Sequence, residues 1–130
     1  MFPTRFREIA GESGRRLPVT PHRALEVWAE FVDDCRDGYA ATLFEYGDDL
    51  SVRRFLQAVL DDPVIRRCPE AAWFAAELAC TDALFRDLLA DGLDVRSGGG
   101  AWWERRIPRV GGAEMAANVR ELLGLEIDIA

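Results

Sequence analysis

A chain of 130 residues with 23 acidic and 16 basic side chains, formal net charge −7, can bury roughly two thirds of the surface its unfolded form exposes. It therefore needs neither a disulfide nor a metal to fold. The acidic balance disfavours a general nucleic-acid binder, which needs an excess of basic charge on one face, and no run approaches the roughly 18–20 apolar residues of a membrane span.

Residues 1–19 hold Pro3, Gly11, Gly14 and Pro18 and keep no sustained period, so they read as an N-terminal arm of open order, with one helical turn near Thr4 to Ile9. MFPTRFREIA lacks the apolar segment of a secretory signal, which points to the cytoplasm. Residues 20–130 read as a single helical domain. Thr20 and Pro21 make a helix start, with Thr as N-cap and Pro at the first helical position. Leu25, Trp28, Phe31, Val32 and Cys35 then recur at spacings of three and four, and Gly38 stops the helix. A short helix is expected over Tyr39 to Tyr46, ended by Gly47. The next, capped by Asp48 or Ser51, places Val52, Phe55, Leu56, Val59 and Leu60 on one face and stops before Pro63.

From Pro69 to Gly92 one long helix is expected, because Trp73, Glu77, Cys80, Leu84 and Leu88 keep their spacing across Thr81 and Asp82, a pair that could otherwise cap a break. After Leu93 the pattern changes. LDVRS and AWWERRI, joined through Gly98, Gly99 and Gly100, read as a β-hairpin, with Trp103 on the face of Ile107 in the core and Trp102 exposed beside Glu104 and Arg106. A final helix spans about Ala113 to Leu123, closed by Gly124, and LEIDIA alternates like a short strand. The fold class is thus mainly α, a single-domain helical bundle of four to five helices with a small C-terminal β-hairpin.

Few constellations carry chemistry. Asp33-Asp34-Cys35-Arg36-Asp37-Gly38 imitates the start of a calcium loop, but Cys35 falls at its third position and Phe44 where the bidentate carboxylate belongs, so no metal is expected. The pairs Asp33-Asp34, Asp48-Asp49 and Asp61-Asp62 point about 100° apart on a helix and make no acid–base dyad by themselves. Gly98-Gly99-Gly100 lacks the Lys-Ser or Lys-Thr of a phosphate loop. Cys35, Cys68 and Cys80 read as structural thiols, and the one histidine, His22, as exposed in the first turn of its helix. No cofactor is implied.

Glu45, Asp49 and Arg53 lie four apart, close to Tyr39 and Tyr46, which makes a carboxylate–arginine–phenol network easy to build. Its ordinary role is to fix how two helices meet. The run Gly38-Tyr39, Glu45-Tyr46-x-x-Asp49-Leu50-Ser51-x-Arg53, with Trp102-Trp103-x-Arg105-x-Ile107-Pro108 downstream, resembles small uncharacterised bacterial helical proteins. That resemblance implies no activity and no catalytic residue.

Charge is uneven. Residues 24–62 carry ten acids and three arginines, while residues 96–109 carry four arginines and one acid. Two classes of function follow. The first is a non-enzymatic acidic interaction protein, an immunity or antitoxin-like inhibitor of a basic partner protein, acting as a monomer or homodimer. Asp33, Asp34, Asp37, Glu45, Asp48, Asp49, Trp102 and Arg106 would bind that partner, because acids steer a basic protein and aromatic and Arg side chains anchor it. The second is a small-ligand binder or hydrolase, with Trp28, Tyr39, Tyr46, Trp73, Glu45 and Arg53 around a pocket between helices. Contact with single-stranded nucleic acid through Trp102, Trp103, Arg105, Arg106 and Arg109 is a weaker third reading, opposed by the acidic body.

Overall fold

The computed structural model of the protein describes residues 1–12, 20–90 and 100–130. Among these, five helices of eleven residues or more alternate with three short ones and a two-stranded parallel sheet, so the fold is mainly α. They group into two compact units. Met1–Glu30 and Ser51–Asp82 form the first; Phe31–Leu50 and Ala83–Ala130 form the second.

The first unit opens on α1 (Phe2–Glu12), a full helix where the sequence suggests one turn. Phe2, Phe6, Ile9 and Ala10 fall on one side of it and are buried, a spacing of four, three and one that the early prolines and glycines obscure. Phe6 meets Phe55 edge-on at 5.1 Å between centroids, and Phe2 meets Phe74 at 5.8 Å, the offset geometry aromatic quadrupoles prefer. α2 (Pro21–Arg36) starts where Thr20 and Pro21 dictate, the Thr20 hydroxyl accepting from the Arg23 amide at 3.3 Å. It contributes Ala24 and Trp28 to this core, while His22 is exposed and lies against Trp73, 4.7 Å between ring centroids.

α4 (Ser51–Asp61) buries Val52, Phe55, Leu56 and Val59 as its period requires. It stops before Pro63 as expected, and Pro63 begins a separate short helix, α5 (Pro63–Arg66), which Asp62 caps by accepting from the amides of Val64 and Ile65, both at 3.1 Å. The same carboxylate takes Arg5 from α1 at 2.7 Å, and that guanidinium holds the Asp62 carboxyl below its ordinary range.

α6 (Glu70–Leu88) is one continuous helix through Thr81 and Asp82. Its buried face is Phe74, Leu78, Asp82 and Phe85, not the expected stripe. Trp73 is 37 % and Leu84 56 % exposed, and Cys80 is exposed as well. Both rows of an alanine-rich helix are apolar, so periodicity alone does not choose between them.

In the second unit Phe31, Val32 and Cys35 from α2, with Phe85 and Leu89, form the core. α3 (Leu43–Asp49) begins later than expected and runs through Gly47, because Tyr39 is committed to another pairing and Thr42 supplies the cap, accepting from the Glu45 amide at 3.1 Å. Tyr39 bridges Gly111, and its carbonyl accepts from the Gly112 amide at 2.8 Å.

The expected hairpin is absent in the part of it that is described. LDVRS lies outside the described residues, and Trp102–Arg105 is a single helical turn, α7, after which Arg106 turns extended. β1 (Val110–Gly111) pairs instead with β2 (Asp128–Ile129), in parallel and in the register Val110 to Asp128. Parallel pairing needs a crossover, supplied here by α8 (Ala113–Leu123), whose end at left-handed Gly124 falls where the sequence places it. Ahead of β1 the chain also pairs with the end of α6, the Ala90 amide donating to the Ile107 carbonyl at 2.8 Å and the Arg109 amide to the Leu88 carbonyl at 2.8 Å.

Candidate functional site

The acids singled out from the sequence occupy one part of the second unit. Asp33, Asp34 and Asp37 lie on the last turn of α2 and just past it, and Glu45, Asp48 and Asp49 on α3; all six are exposed. Their fields overlap on two buried groups. Burial, then the charges of Asp34 and Asp49, push the Cys35 thiol up to about 12. Burial, the hydrogen bond to Asp49 and the charges of Asp49 and Glu45 raise the Tyr39 phenol well above its ordinary value. Acids from two helices thus converge over one thiol–phenol core.

Among them stands Phe44, which in the sequence marks only the missing carboxylate of a calcium loop. Phe44 is 74 % exposed on α3, next to Glu45. Aromatic side chains are enriched in protein interfaces, where they act as anchors.

The polar network divides. The Tyr39 hydroxyl donates to Asp49 at 2.5 Å, and Tyr39 and Tyr46 pack edge-on at 5.6 Å, so these three come together in the second unit. Burial raises the Tyr46 phenol too, and its hydroxyl is buried with no hydrogen-bond partner among the described residues. Glu45 takes part through its charge on Tyr39. Arg53 instead lies in the first unit, 3 % exposed, with its guanidinium on Asp82 of α6. Nothing in the spacing Glu45, Asp49, Arg53 points to Asp82, which sits in the middle of a distant helix. Trp28 is buried in the first unit, donating from Nε1 to Asp82 at 3.1 Å, and Tyr39 and Tyr46 are buried in the second, so these rings serve as core.

Trp102 and Arg106 lie apart from the acids, in a cleft of about 320 Å³ lined by Arg86, Leu89, Trp102, Arg105 and Arg106. The Arg86 guanidinium stacks on the Trp102 ring at 3.9 Å from its centroid. Trp103 is buried and stands perpendicular to Trp102, centroids 5.7 Å apart. Arg109 is turned away to structural use, its guanidinium donating to the carbonyl of Asp87. A smaller hollow of about 170 Å³ runs along Ala113, Ala116 and Ala117 of α8 against Ile127 and Ile129.

Among the described residues no group of three or more His, Cys, Asp or Glu could hold a metal ion, and no helix is long and apolar enough to cross a membrane. Comparison with protein-family models, with curated proteins and with solved structures finds no match to this chain.

Proposed function

We propose that this chain is a non-enzymatic interaction protein of the cytoplasm that docks a basic partner protein, in the manner of an immunity or antitoxin-like inhibitor. The observation that carries this reading is Phe44, 74 % exposed on α3 next to Glu45, with two further exposed acids, Asp48 and Asp49, four and five residues along the helix. The exposed carboxylates steer a cationic partner and speed its encounter. The phenyl ring, dehydrated on contact, then holds it. The titratable groups beneath this surface support a non-catalytic role. Cys35, Tyr39 and Tyr46 are all shifted toward their neutral forms, away from the range near neutrality that acid–base and nucleophilic chemistry favours.

The test is co-expression with the product of the adjacent gene, followed by purification in rising salt. A complex that weakens with salt, and that both Phe44→Ala and the triple change Asp33→Asn, Asp34→Asn, Asp37→Asn disrupt, is the expected result. A complex indifferent to these changes, or no complex with any neighbouring product, overturns the reading.

A further inference from the structure

The second unit gathers arginines around one cleft of an acidic protein. Three guanidinium groups, from Arg86 on α6, Arg105 on α7 and Arg106 just after it, line one cleft with Trp102 and the buried Leu89. In an extended chain Arg105 and Arg106 would point to opposite sides. Because α7 ends at Arg105 and Arg106 is extended at φ −130, both reach the same cleft.

Arg86 is the decisive member. Among the described residues its guanidinium makes no hydrogen bond or ion pair, and its contact is the indole of Trp102, 3.9 Å away. Stacking engages the flat face of a guanidinium and leaves its N–H edge directed outward, the edge that matches phosphate and carboxylate oxygens in pairs. Trp102 is itself held, by Phe85 at 6.2 Å and by Trp103 at 5.7 Å between centroids, so Arg86 rests on a fixed platform and less motion is lost on binding. The cleft's 320 Å³ is the size of a small-molecule pocket, not of a groove that follows a polymer.

We propose that the Trp102 cleft binds a small multivalent oxyanion, with Arg86 as its principal ligand and Arg105 and Arg106 supplying further positive charge. Three cationic side chains suit a ligand with two or more negative charges, a phosphate ester or a compact polycarboxylate, over a single carboxylate. Leu89 and the Trp102 ring give its organic part an apolar wall.

The experiment is calorimetric titration of the full chain with pyrophosphate and with citrate, at constant ionic strength, with acetate as the monovalent control. Saturable binding of pyrophosphate or citrate and none of acetate is expected. Arg86→Gln weakens it by roughly tenfold or more, the loss of one charge-assisted pair, and Arg36→Gln, an exposed arginine of the same unit, leaves it unchanged. Tighter pyrophosphate identifies a phosphate ester, and tighter citrate a polycarboxylate. Failure of both anions to bind, binding that Arg86→Gln does not weaken while circular dichroism shows it folded, or binding of a short single-stranded oligonucleotide in their place overturns the proposal.

Discussion

Asp82 receives Arg53 through two parallel hydrogen bonds, Nε to Oδ1 and Nη2 to Oδ2, both at 2.9 Å, and the Trp28 indole donates to the same Oδ1 at 3.1 Å. The remaining guanidinium nitrogen Nη1 donates to Gln57 at 3.1 Å. A carboxylate in the middle of α6 and an arginine on α4 are thereby both tolerated inside the first unit, where either alone would be an uncompensated buried charge.

Asp82→Asn removes the negative charge but not the guanidinium, and we expect a loss of about 3–5 kcal/mol in stability, read from urea unfolding. The double variant Arg53→Met, Asp82→Leu leaves no charge behind and should recover most of that loss. A double variant as unstable as the single one would show that the pair contributes net attraction beyond its desolvation cost.

Alkali should weaken the fold through the second unit. Cys35 is raised from 9.0 to about 12, and Tyr39 and Tyr46 are raised as well, so folding favours their protonated forms. The stability they contribute is present in full below the unfolded values and is lost as pH rises toward the folded ones. Urea midpoints should stay level from neutrality to about pH 9 and fall from there to pH 12. Cys35→Ala should lessen the early part of the fall, leaving the later phenolic part in place.

The adjacent tryptophans should differ. Trp103 is buried, and Trp103→Ala should cost about 3–5 kcal/mol. Trp102 is half-buried under Arg86, and Trp102→Ala should cost clearly less, the cation–π contact itself being worth about 0.5–1 kcal/mol at such a site. Thermal unfolding of the two variants checks the order.

That order follows from the sequence for a reason the structure replaces. Alternation along a strand puts Trp103 with Ile107 in the core, and both are buried, but they belong to a helical turn and the extended chain after it. Elements with local markers were legible: Thr20 and Pro21 opening α2, and Gly124 closing α8. The exposure of the six acids was legible too, since isolated carboxylates stay in water. What depends on distant partners was not. Asp82 resembles a helix cap until Arg53 and Trp28 reach it, and Arg86 has no signal in its own helix that Trp102 will lie beneath it. The exposed row of α6 has the same spacing as the buried one, and its alanines make both rows apolar.

Gly38→Ala should be costly for two separable reasons. Gly38 has φ +98, which L side chains rarely adopt, and an added Cβ would lie 2.3 Å from the Cβ of Ala130. The conformation alone costs about 1–2 kcal/mol. Ala130→Gly in the same chain should relieve the clash and restore part of the stability, with the conformational part remaining. Full restoration, measured by urea unfolding, would show that backbone geometry contributes nothing at this position.

The two units are interleaved along the chain: the first takes Met1–Glu30 and Ser51–Asp82, the second Phe31–Leu50 and Ala83–Ala130. No single excision recovers either core. A fragment ending at Leu50 would hold Phe6 without Phe55 and Tyr39 without Gly111, and one starting at Ser51 would hold the other halves. Dissection into contiguous pieces should therefore yield insoluble or unstructured products, whereas two fragments severed between Leu50 and Ser51 and mixed are the combination that can reassemble both cores.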